Sequence, residues 1–294
     1  KRGRDLGALV IQQSFLDVSE PLFGGLDAIA PGAPSRMIAQ LNMMLADAAS
    51  ADGVLWLDAA REAARDGLAV WHDPVRWLQG KLEIAPQAAA QYGELAARLI
   101  GAARGKSKKC LVLDLDNTLW GGVIGDDGID GIVLGEGSGR GEAHLALQAY
   151  ARALKERGII LAVCSKNETA IAEAVFNDHP EMLLKRSHIA AFYANWTPKA
   201  ENLKAIAKQL NIGIDSLVFV DDNPVERAHI RDALPMVAVP ELPADPALYV
   251  RCLAAAGYFE AAAFTREDQE RAQQYSANAE REQALDADGD METF

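Results

Sequence analysis

From residue 110 onward, apolar runs and helical patterns alternate along the chain. One of the apolar runs indicates where a functional site lies. Leu111 to Leu113 is a run of β-forming residues that leads directly into Asp114, Asp116 and Thr118. A strand that is apolar on both faces is typical of the centre of a parallel sheet. Alternation places both acids on one face, at the carboxyl end of the strand, where parallel sheets bind ligands. We therefore take this strand end as the candidate active site.

The alternation after this strand predicts a doubly wound α/β fold. Between the first strand and the next helix, Asp126 to Gly128 predicts the turn of a hairpin flap over residues 123–134. Thr197 and Pro198 are the expected N-cap and first residue of a later helix. The other predicted strands are 159–163, 189–194, 217–220 and 236–239, and the predicted helices are 142–157, 168–177, 197–210 and 247–256.

The first hundred residues carry a less regular pattern. Apolar runs at 8–11 and 54–57 predict two strands, and helical spacing at 34–49 and 86–103 predicts two helices. A cluster between them fits either a hydrolase site or a packed aromatic corner with a salt bridge, and the absence of a GxSxG serine motif favours the packed corner. The cluster consists of Trp71, His72, Asp73, Arg76 and Trp77. We expect residues 1–105 to form an accessory α/β segment that looks truncated.

Composition and charge narrow the function classes. The chain has 294 residues, half of them apolar, and no apolar run approaches the roughly 20 residues that cross a bilayer. The net charge of −13 disfavours nucleic acid and acidic membranes as partners. The three cysteines, Cys110, Cys164 and Cys252, have no close spacing, which indicates neither a disulfide framework nor a zinc site. A reducing cytoplasm fits this pattern.

Two acids at the end of a strand suit phosphoryl or acyl transfer. One carboxylate can attack the reacting centre, a second can move the leaving-group proton, and a divalent cation lets both stay ionised at short range. The alternative is an Asp-Asn turn that caps the next element. Four further polar residues end strands or open a helix at the same predicted sheet edge, and together with the acids they favour a site over a set of caps. These are Ser165, Lys199, Asp221 and Asp222.

Four features of the chain resemble the four motifs of the haloacid dehalogenase superfamily. In chain order they are DLDNT, a strand ending in Ser165, Lys199 and FVDDN. The resemblance implies an α/β Rossmann-like core without a large cap and a Mg²⁺-dependent phosphatase-type enzyme. Asp114 would be the nucleophile and Asp116 the general acid and base. The implied phosphate-binding residues are Thr118, Ser165, Lys166, Asn167 and Lys199. The implied metal site consists of Asp114, Asp116 through its carbonyl, Asp221 and Asp222.

The chain is more closely similar to the FkbH-like branch of that superfamily. This similarity covers about residues 106–274. It is carried by three segments, LDLDNTLWGGVIGDDG, LAVCSKN and LNIGIDSLVFVDDNPVER. It implies that residues 106–260 are the catalytic core and residues 1–105 the remnant of a hydrolase-like domain. The implied reaction takes 1,3-bisphosphoglycerate, removes phosphate and places a glyceryl unit on an acyl carrier protein in polyketide biosynthesis. The chain would then be part of a multidomain megasynthase.

Cys164 is the expected carrier of the acyl group, as an enzyme thioester. It is the one cysteine next to a site residue, Ser165, and a thiolate there would lie near the phosphate. Against this role, strand alternation sends Cys164 to the opposite face, and a free cysteine is commonly a small buried apolar residue.

The expected mouth of the site is open, because the segments between Thr118, Ser165 and Lys199 are too short to hold a cap domain. An open mouth suits a phosphopantetheine arm. Two alternatives remain: a plain Mg²⁺-dependent phosphomonoester phosphatase, and a non-catalytic docking module. Residues 261–294 are expected to form a charged C-terminal helix, opened by a capping box at Thr265 to Asp268, and an acidic linker to a further domain.

Overall fold

The structure is a computed structural model, and it describes residues 7–263. Within that range the residues group into two units. The first runs up to Gly105 and includes Glu260–Ala262, and the second is Lys106–Phe259. The helix and linker expected after Thr265 lie outside the described residues. Among the described helices, none combines the length and the apolar character that crossing a membrane requires.

The first unit is built on two short parallel strands. Ile11 pairs with Leu55, and Gln13 pairs with Leu57. Small and aromatic residues of the surrounding helices pack on this pair, with Trp71 completely buried. The elements are β1 (Ile11–Gln13), α1 (Pro34–Asp52), β2 (Leu55–Leu57), α2 (Ala59–Asp66), α3 (Leu68–Trp71), α4 (Pro74–Gly80) and α5 (Ala89–Ala103).

Two predictions for this unit need correction. The first strand lies at Ile11–Gln13 rather than at 8–11, which leaves Leu9 and Val10 exposed. Trp71 is packed in the apolar core of this unit, but no salt bridge joins Asp73 and Arg76 in the described range. The Asp73 carboxylate is occupied as the N-cap of α4, where it accepts hydrogen bonds from the amides of Val75 and Arg76.

The second unit contains a four-stranded parallel sheet in the order β5-β4-β3-β6. Strand β3 (Cys110–Leu113) is an inner strand and is buried throughout, as predicted. The remaining elements are α6 (Ile124–Asp127), α7 (Gly139–Glu156), β4 (Ile160–Ser165), α8 (Thr169–Asp178), β5 (Ala191–Ala194), α9 (Lys199–Gln209), β6 (Leu217–Val220), α10 (Pro224–Ala233) and α11 (Tyr249–Ala256).

Both faces of this sheet are covered. Leu111 and Leu113 point into one apolar cluster, with residues of α7, α8 and α11. Cys110 and Val112 point into another cluster, on the side of α9 and α10. Successive side chains of β3 therefore point into two separate apolar cores, which explains why the strand is apolar at every position. The predicted doubly wound α/β fold is confirmed.

The prediction of a hairpin flap over residues 123–134 is wrong. Residues Ile124–Asp127 form a helical turn, and a single antiparallel bridge, Gly121 with Val133, is the ladder-like contact of this segment. The cause is local capping. Asp127 Oδ2 accepts a hydrogen bond from the amide of Val123, and Asp116 Oδ1 accepts one from the amide of Ile124. These acceptors hold the first amides of a helical turn, so the chain does not extend into strands.

Two other boundaries differ from prediction. Helix α9 begins at Lys199 with Pro198 at the N-cap position, so Thr197 does not cap it. The amide of Thr197 instead donates to Asn195 Oδ1, in a tight turn before the helix. Residues 236–239 form one isolated bridge, Ala238 with Val218, rather than a further strand.

Candidate active site

Strand register brings the acidic residues of two strands together. Leu113 pairs with Val220, and each is followed directly by an aspartate, Asp114 after β3 and Asp221 after β6. The amide of Asp114 donates to the carbonyl of Val220 at 2.9 Å, which continues the ladder past the end of the strands. Both aspartates are buried, and Asp222 follows at the rim.

Lys199 is the cation of this cluster. As the first residue of α9, it projects its ammonium group between two carboxylates. Nζ lies 2.6 Å from Asp221 Oδ2 and 3.1 Å from Asp114 Oδ1, and the residue is 3% exposed. Burial lowers the pKa of Lys199, but the charges of Asp114 and Asp221 outweigh this effect and hold the pKa above its ordinary value. Lys199 is therefore a permanent positive charge below the rim.

Asp114 has an unusual carboxylate. Burial raises its pKa to about 6, the charge of Lys199 opposes this shift, and the charge of Asp221 adds to it. Its Oδ1 forms the ion pair with Lys199, a cation that Asp114 shares with Asp221. Burial of two carboxylates beside one cation carries a free-energy cost that a bound metal ion can relieve. The Asp114 carboxylate is therefore a candidate for a nucleophilic or metal-binding role.

Three carboxylates can hold a cation together. Asp114, Asp221 and Asp222 each offer one oxygen, and these oxygens lie within 4.8 Å of one another. Asp221 is partly used, since its Oδ1 accepts from the amide of Asn223 and its Oδ2 from Lys199. Burial and the charge of Asp114 raise the pKa of Asp222. An oxygen-only set with excess negative charge suits a hard divalent cation, so the residues fit the metal that the sequence predicts.

The carboxylate of Asp116 accepts hydrogen bonds from three donors. Its Oδ1 accepts from Trp120 Nε1 at 2.9 Å and from the amide of Ile124 at 3.0 Å. Its Oδ2 accepts from Asn167 Nδ2 at 3.0 Å. The carboxylate of Asp116 is not a member of the three-oxygen group. A fixed, partly exposed carboxyl group two residues from Asp114 is the arrangement that a general acid and base needs.

The predicted phosphate-binding residues fall into two sets. Ser165 and Asn167 are buried beside each other, and Asn167 Nδ2 donates to Ser165 Oγ at 3.2 Å. Thr118 Oγ1 accepts from the amide of Asp222, so the hydroxyl joins the ends of β3 and β6. Lys166, in contrast, points outward and pairs with Glu226 at 2.5 Å. The structure thus brings Ser165, Asn167 and Thr118 to the acids and directs Lys166 to the rim.

Cys164 is the residue that the sequence predicts to carry the acyl group, and the structure buries it on the α9 side of the sheet. It is completely buried in the apolar cluster on the α9 side, and its Sγ donates to the carbonyl of Lys199 at 3.8 Å. Burial raises the pKa of this thiol well above its ordinary value. Strand alternation places the next residue, Ser165, on the other side of β4. Cys110 is likewise buried, and Cys252 donates to the carbonyl of Glu241.

Sequence reasoning missed the buried polar residues that hold the site. His144 Nδ1 donates to the carbonyl of Thr118 at 2.8 Å, and Gln148 Nε2 donates to the carbonyl of Leu119 at 2.8 Å. Arg227 Nη1 donates to the carbonyls of Asp221 and Asp222. The signal for the first two was present, since His and Gln four residues apart interrupt the apolar face of α7.

Comparisons with known proteins agree with this geometry. No family model and no curated protein sequence matches the chain. Among solved structures, the chain is similar to the N-terminal part of the protein BF1531 from Bacteroides fragilis, which contains a phosphatase domain and was complexed with Mg. The identity is 39%, the TM-score is 0.84, and the alignment covers 87% of this chain and 69% of that chain.

A second solved structure is a HAD superfamily (subfamily III A) hydrolase from Legionella pneumophila, with 15% identity, a TM-score of 0.34 and coverage of 64% of this chain and 98% of that one. That likeness carries no argument. The similarity to the Bacteroides fragilis protein covers more than two thirds of that protein's chain. The chain therefore belongs to the same family as that phosphatase-domain protein.

Proposed function

We propose that this protein is a Mg²⁺-dependent phosphatase that forms a phosphoenzyme on Asp114. The observation that carries the proposal is the buried Lys199 ammonium between Asp114 and Asp221, with Asp222 completing an oxygen cluster. Such an arrangement can bind a phosphoryl group by point charge, with the Asp114 carboxylate beside it as the attacking group. Both the Mg-complexed phosphatase domain of the Bacteroides fragilis protein and the donor set support the choice of metal.

The reaction proceeds in two balanced steps. An oxygen of Asp114 bonds to phosphorus while the bond from phosphorus to the alcohol oxygen breaks, and Asp116 gives its proton to the departing alcohol. Water then attacks the aspartyl phosphate, Asp116 takes the proton from that water, and inorganic phosphate leaves. Lys199 and Ser165 hold the phosphoryl oxygens in both steps. Bound Mg²⁺ supplies neutralisation of the charge that the phosphate and the three carboxylates bring together.

Phosphate release from p-nitrophenyl phosphate tests the proposal. We expect release that needs Mg²⁺, stops in excess chelator and is lost in Asp114→Asn and Asp222→Ala. The matched control is Asp232→Asn, which removes an exposed carboxylate at the end of α10 and should retain wild-type rates. Equal release with and without chelator would refute the metal dependence, and a fully active Asp114→Asn variant would refute the nucleophile.

Glyceryl transfer from 1,3-bisphosphoglycerate to an acyl carrier protein is the second candidate. The similarity of the motif segments to the FkbH-like branch supports it. The buried position and raised pKa of Cys164 weigh against a thioester at that residue, because the thiolate is the attacking species. We therefore place hydrolysis first. Acylation of Cys164 would require the thiol to leave the apolar cluster on the α9 side.

Intact-protein mass spectrometry after incubation with 1,3-bisphosphoglycerate separates the two candidates. A glyceryl or phosphoglyceryl adduct that disappears in Cys164→Ala and persists in the control Cys252→Ala would support acyl transfer. Transfer of the same mass to an added carrier protein would complete that evidence. Phosphate release from phosphomonoesters without any adduct would support the phosphatase alone.

A further inference from the structure

A pocket of about 770 Å³ opens beside the acidic cluster, within the second unit. It shares Asp222 with the three-carboxylate group, so it adjoins the proposed phosphate site. Asn117, the residue after Asp116, lines the pocket together with Gly139 and Arg140 at the start of α7. The remaining lining is formed by residues 244–247 and Tyr249. A phosphomonoester bound at Asp114 would place its alcohol part in this pocket.

Arg140 is the one basic residue among those that line the pocket, and the proposed mechanism does not use it. Its side chain is exposed, and its Nη2 donates to Asn117 Oδ1 at 3.1 Å. Across residues 7–263, no carboxylate forms an ion pair with it. Asp245, on the same pocket wall, is used as a cap and accepts from the amide of Ala247. The guanidinium therefore keeps most of its donors for a ligand.

The negative charges around the pocket explain why a positive side chain is needed there to bind an anionic group. The chain carries a net charge of −13, and both Asp222 and Asp245 face the same pocket. A second negative group on the substrate would be repelled there unless a positive group met it. The amides of Gly139 and Arg140, the first two of an 18-residue helix, add partial positive charge on the same side.

We propose that this pocket holds the non-reacting part of the substrate and that Arg140 binds a second anionic group on it. The planar guanidinium pairs with two oxygens of a carboxylate or a phosphate at once. The preferred substrates are then phosphomonoesters that carry an additional carboxylate or phosphate. This inference rests on the proposed phosphatase function, because it assigns the remainder of the same substrate.

Three probes separate the chemistries: glycerol 3-phosphate, with no second anion, 3-phosphoglycerate, with a carboxylate, and glycerol 1,3-bisphosphate, with a phosphate. In Arg140→Gln we expect KM to rise about 10- to 100-fold for one or both of the second-anion substrates, since a charge-assisted pair is lost. For glycerol 3-phosphate the change should be threefold or less, and kcat should fall little. Arg140→Lys should restore part of the affinity. Arg152→Gln, on the exposed side of the same helix, is the matched control.

A purely structural role of Arg140, through its bond to Asn117, would lower kcat for all three probes alike, and that result would overturn the inference. Equal KM values for the three probes in the wild-type protein would also overturn it. Calorimetric binding of the probes to Asp114→Asn, with and without Arg140→Gln, gives a readout without turnover. If the wild-type protein releases phosphate from no probe, the phosphatase proposal fails, and the affinity ratio still decides the role of Arg140.

Discussion

The two parallel sheets of this protein place polar residues at the same position, directly after a strand, and use them differently. In the first unit, β1 is followed by Ser14, which is 2% exposed. Its hydroxyl donates to Asp58 Oδ1 and accepts from the amide of Ala60, so it serves as part of the cap of α2. Ser14 Oγ and Asp58 Oδ1 are therefore both used by neighbouring protein groups.

In the second unit, β3 and β6 are followed by Asp114 and Asp221, which have the opposite character. Lys199 pairs with both Asp114 and Asp221, and Asp222 adds a third carboxylate to the group. Strand ends attract polar residues for caps as well as for chemistry, so position alone does not identify a site. The excess of buried negative charge separates the two cases.

The largest effect should come from removing the buried cation. In Lys199→Met, Asp114 and Asp221 lose their common partner, so we expect a loss of about 3–5 kcal/mol in the free energy of unfolding in chelator. Phosphate release should fall about 100- to 1,000-fold as an electrostatic contact to the phosphoryl group is lost. Urea unfolding and the release assay measure these effects. Lys204→Met, exposed on the same helix, is the control, and equal unfolding midpoints for the two variants would contradict the central role of Lys199.

The core of this site could be predicted because its signal is local. An apolar run followed by Asp114, and another followed by Asp221, define both strand ends, and parallel pairing then brings the two acids together. The lysine could be placed in the same way, at the start of a helix. Strand alternation also anticipated that Ser165 and Cys164 would lie on opposite faces.

The elements that were mispredicted depend on contacts distant in sequence or on capping that the pattern does not show. Residues 124–127 form a helical turn because Asp116 holds the amide of Ile124. The role of Gln148 depends on three backbone groups that lie in two other segments, at Leu119 and at residues 183–184. No local period encodes such contacts, since they follow from tertiary packing.

Gln148 gives the next largest expected effect. Its side chain donates to the carbonyl of Leu119 and accepts from the amides of Leu183 and Leu184. In Gln148→Leu these buried backbone groups lose their partner, which we expect to cost about 2–3 kcal/mol. We expect Gln148→Leu to have a lower melting temperature and little change in KM. This result would show that a buried polar residue of the second unit can have a purely structural role. Arg152→Gln is the control, and an unchanged melting temperature in Gln148→Leu would contradict the prediction.

The excess of negative charge around Asp114 can be tested by measuring how the free energy of unfolding depends on pH in the absence of metal. The pKa of Asp114 is about 6 in the folded protein and 3.8 in its ordinary environment, so the folded state binds the proton more tightly. This stabilisation is fully present below pH 3.8 and is lost as the pH rises through 6. In chelator at pH 7.5, Asp114→Asn should therefore be more stable than wild type, by on the order of 1–3 kcal/mol.

At pH 5 the stability gap between Asp114→Asn and wild type should shrink, because wild-type Asp114 is then largely protonated. Asp221 and Asp222 are present in both proteins, so the difference between the two reports Asp114. Urea unfolding at the two pH values measures the gap, with Asp232→Asn as the exposed carboxylate control. A gap that is independent of pH would show that the effect of the substitution is not electrostatic.

The smallest expected effect belongs to the strand end in the first unit. Ser14→Ala removes the hydroxyl that accepts from the amide of Ala60 and donates to Asp58, contacts of the kind that cap a helix. Such a cap contributes about 1 kcal/mol, so thermal unfolding of the first unit should shift by a few degrees. Because this hydroxyl belongs to no oxygen cluster, phosphate release should equal that of the control Ser50→Ala, an exposed serine on α1. A loss of phosphate release beyond about twofold in Ser14→Ala alone would mean that the two strand ends are not as different as their hydrogen bonds indicate, and the first unit would then contribute to the chemistry.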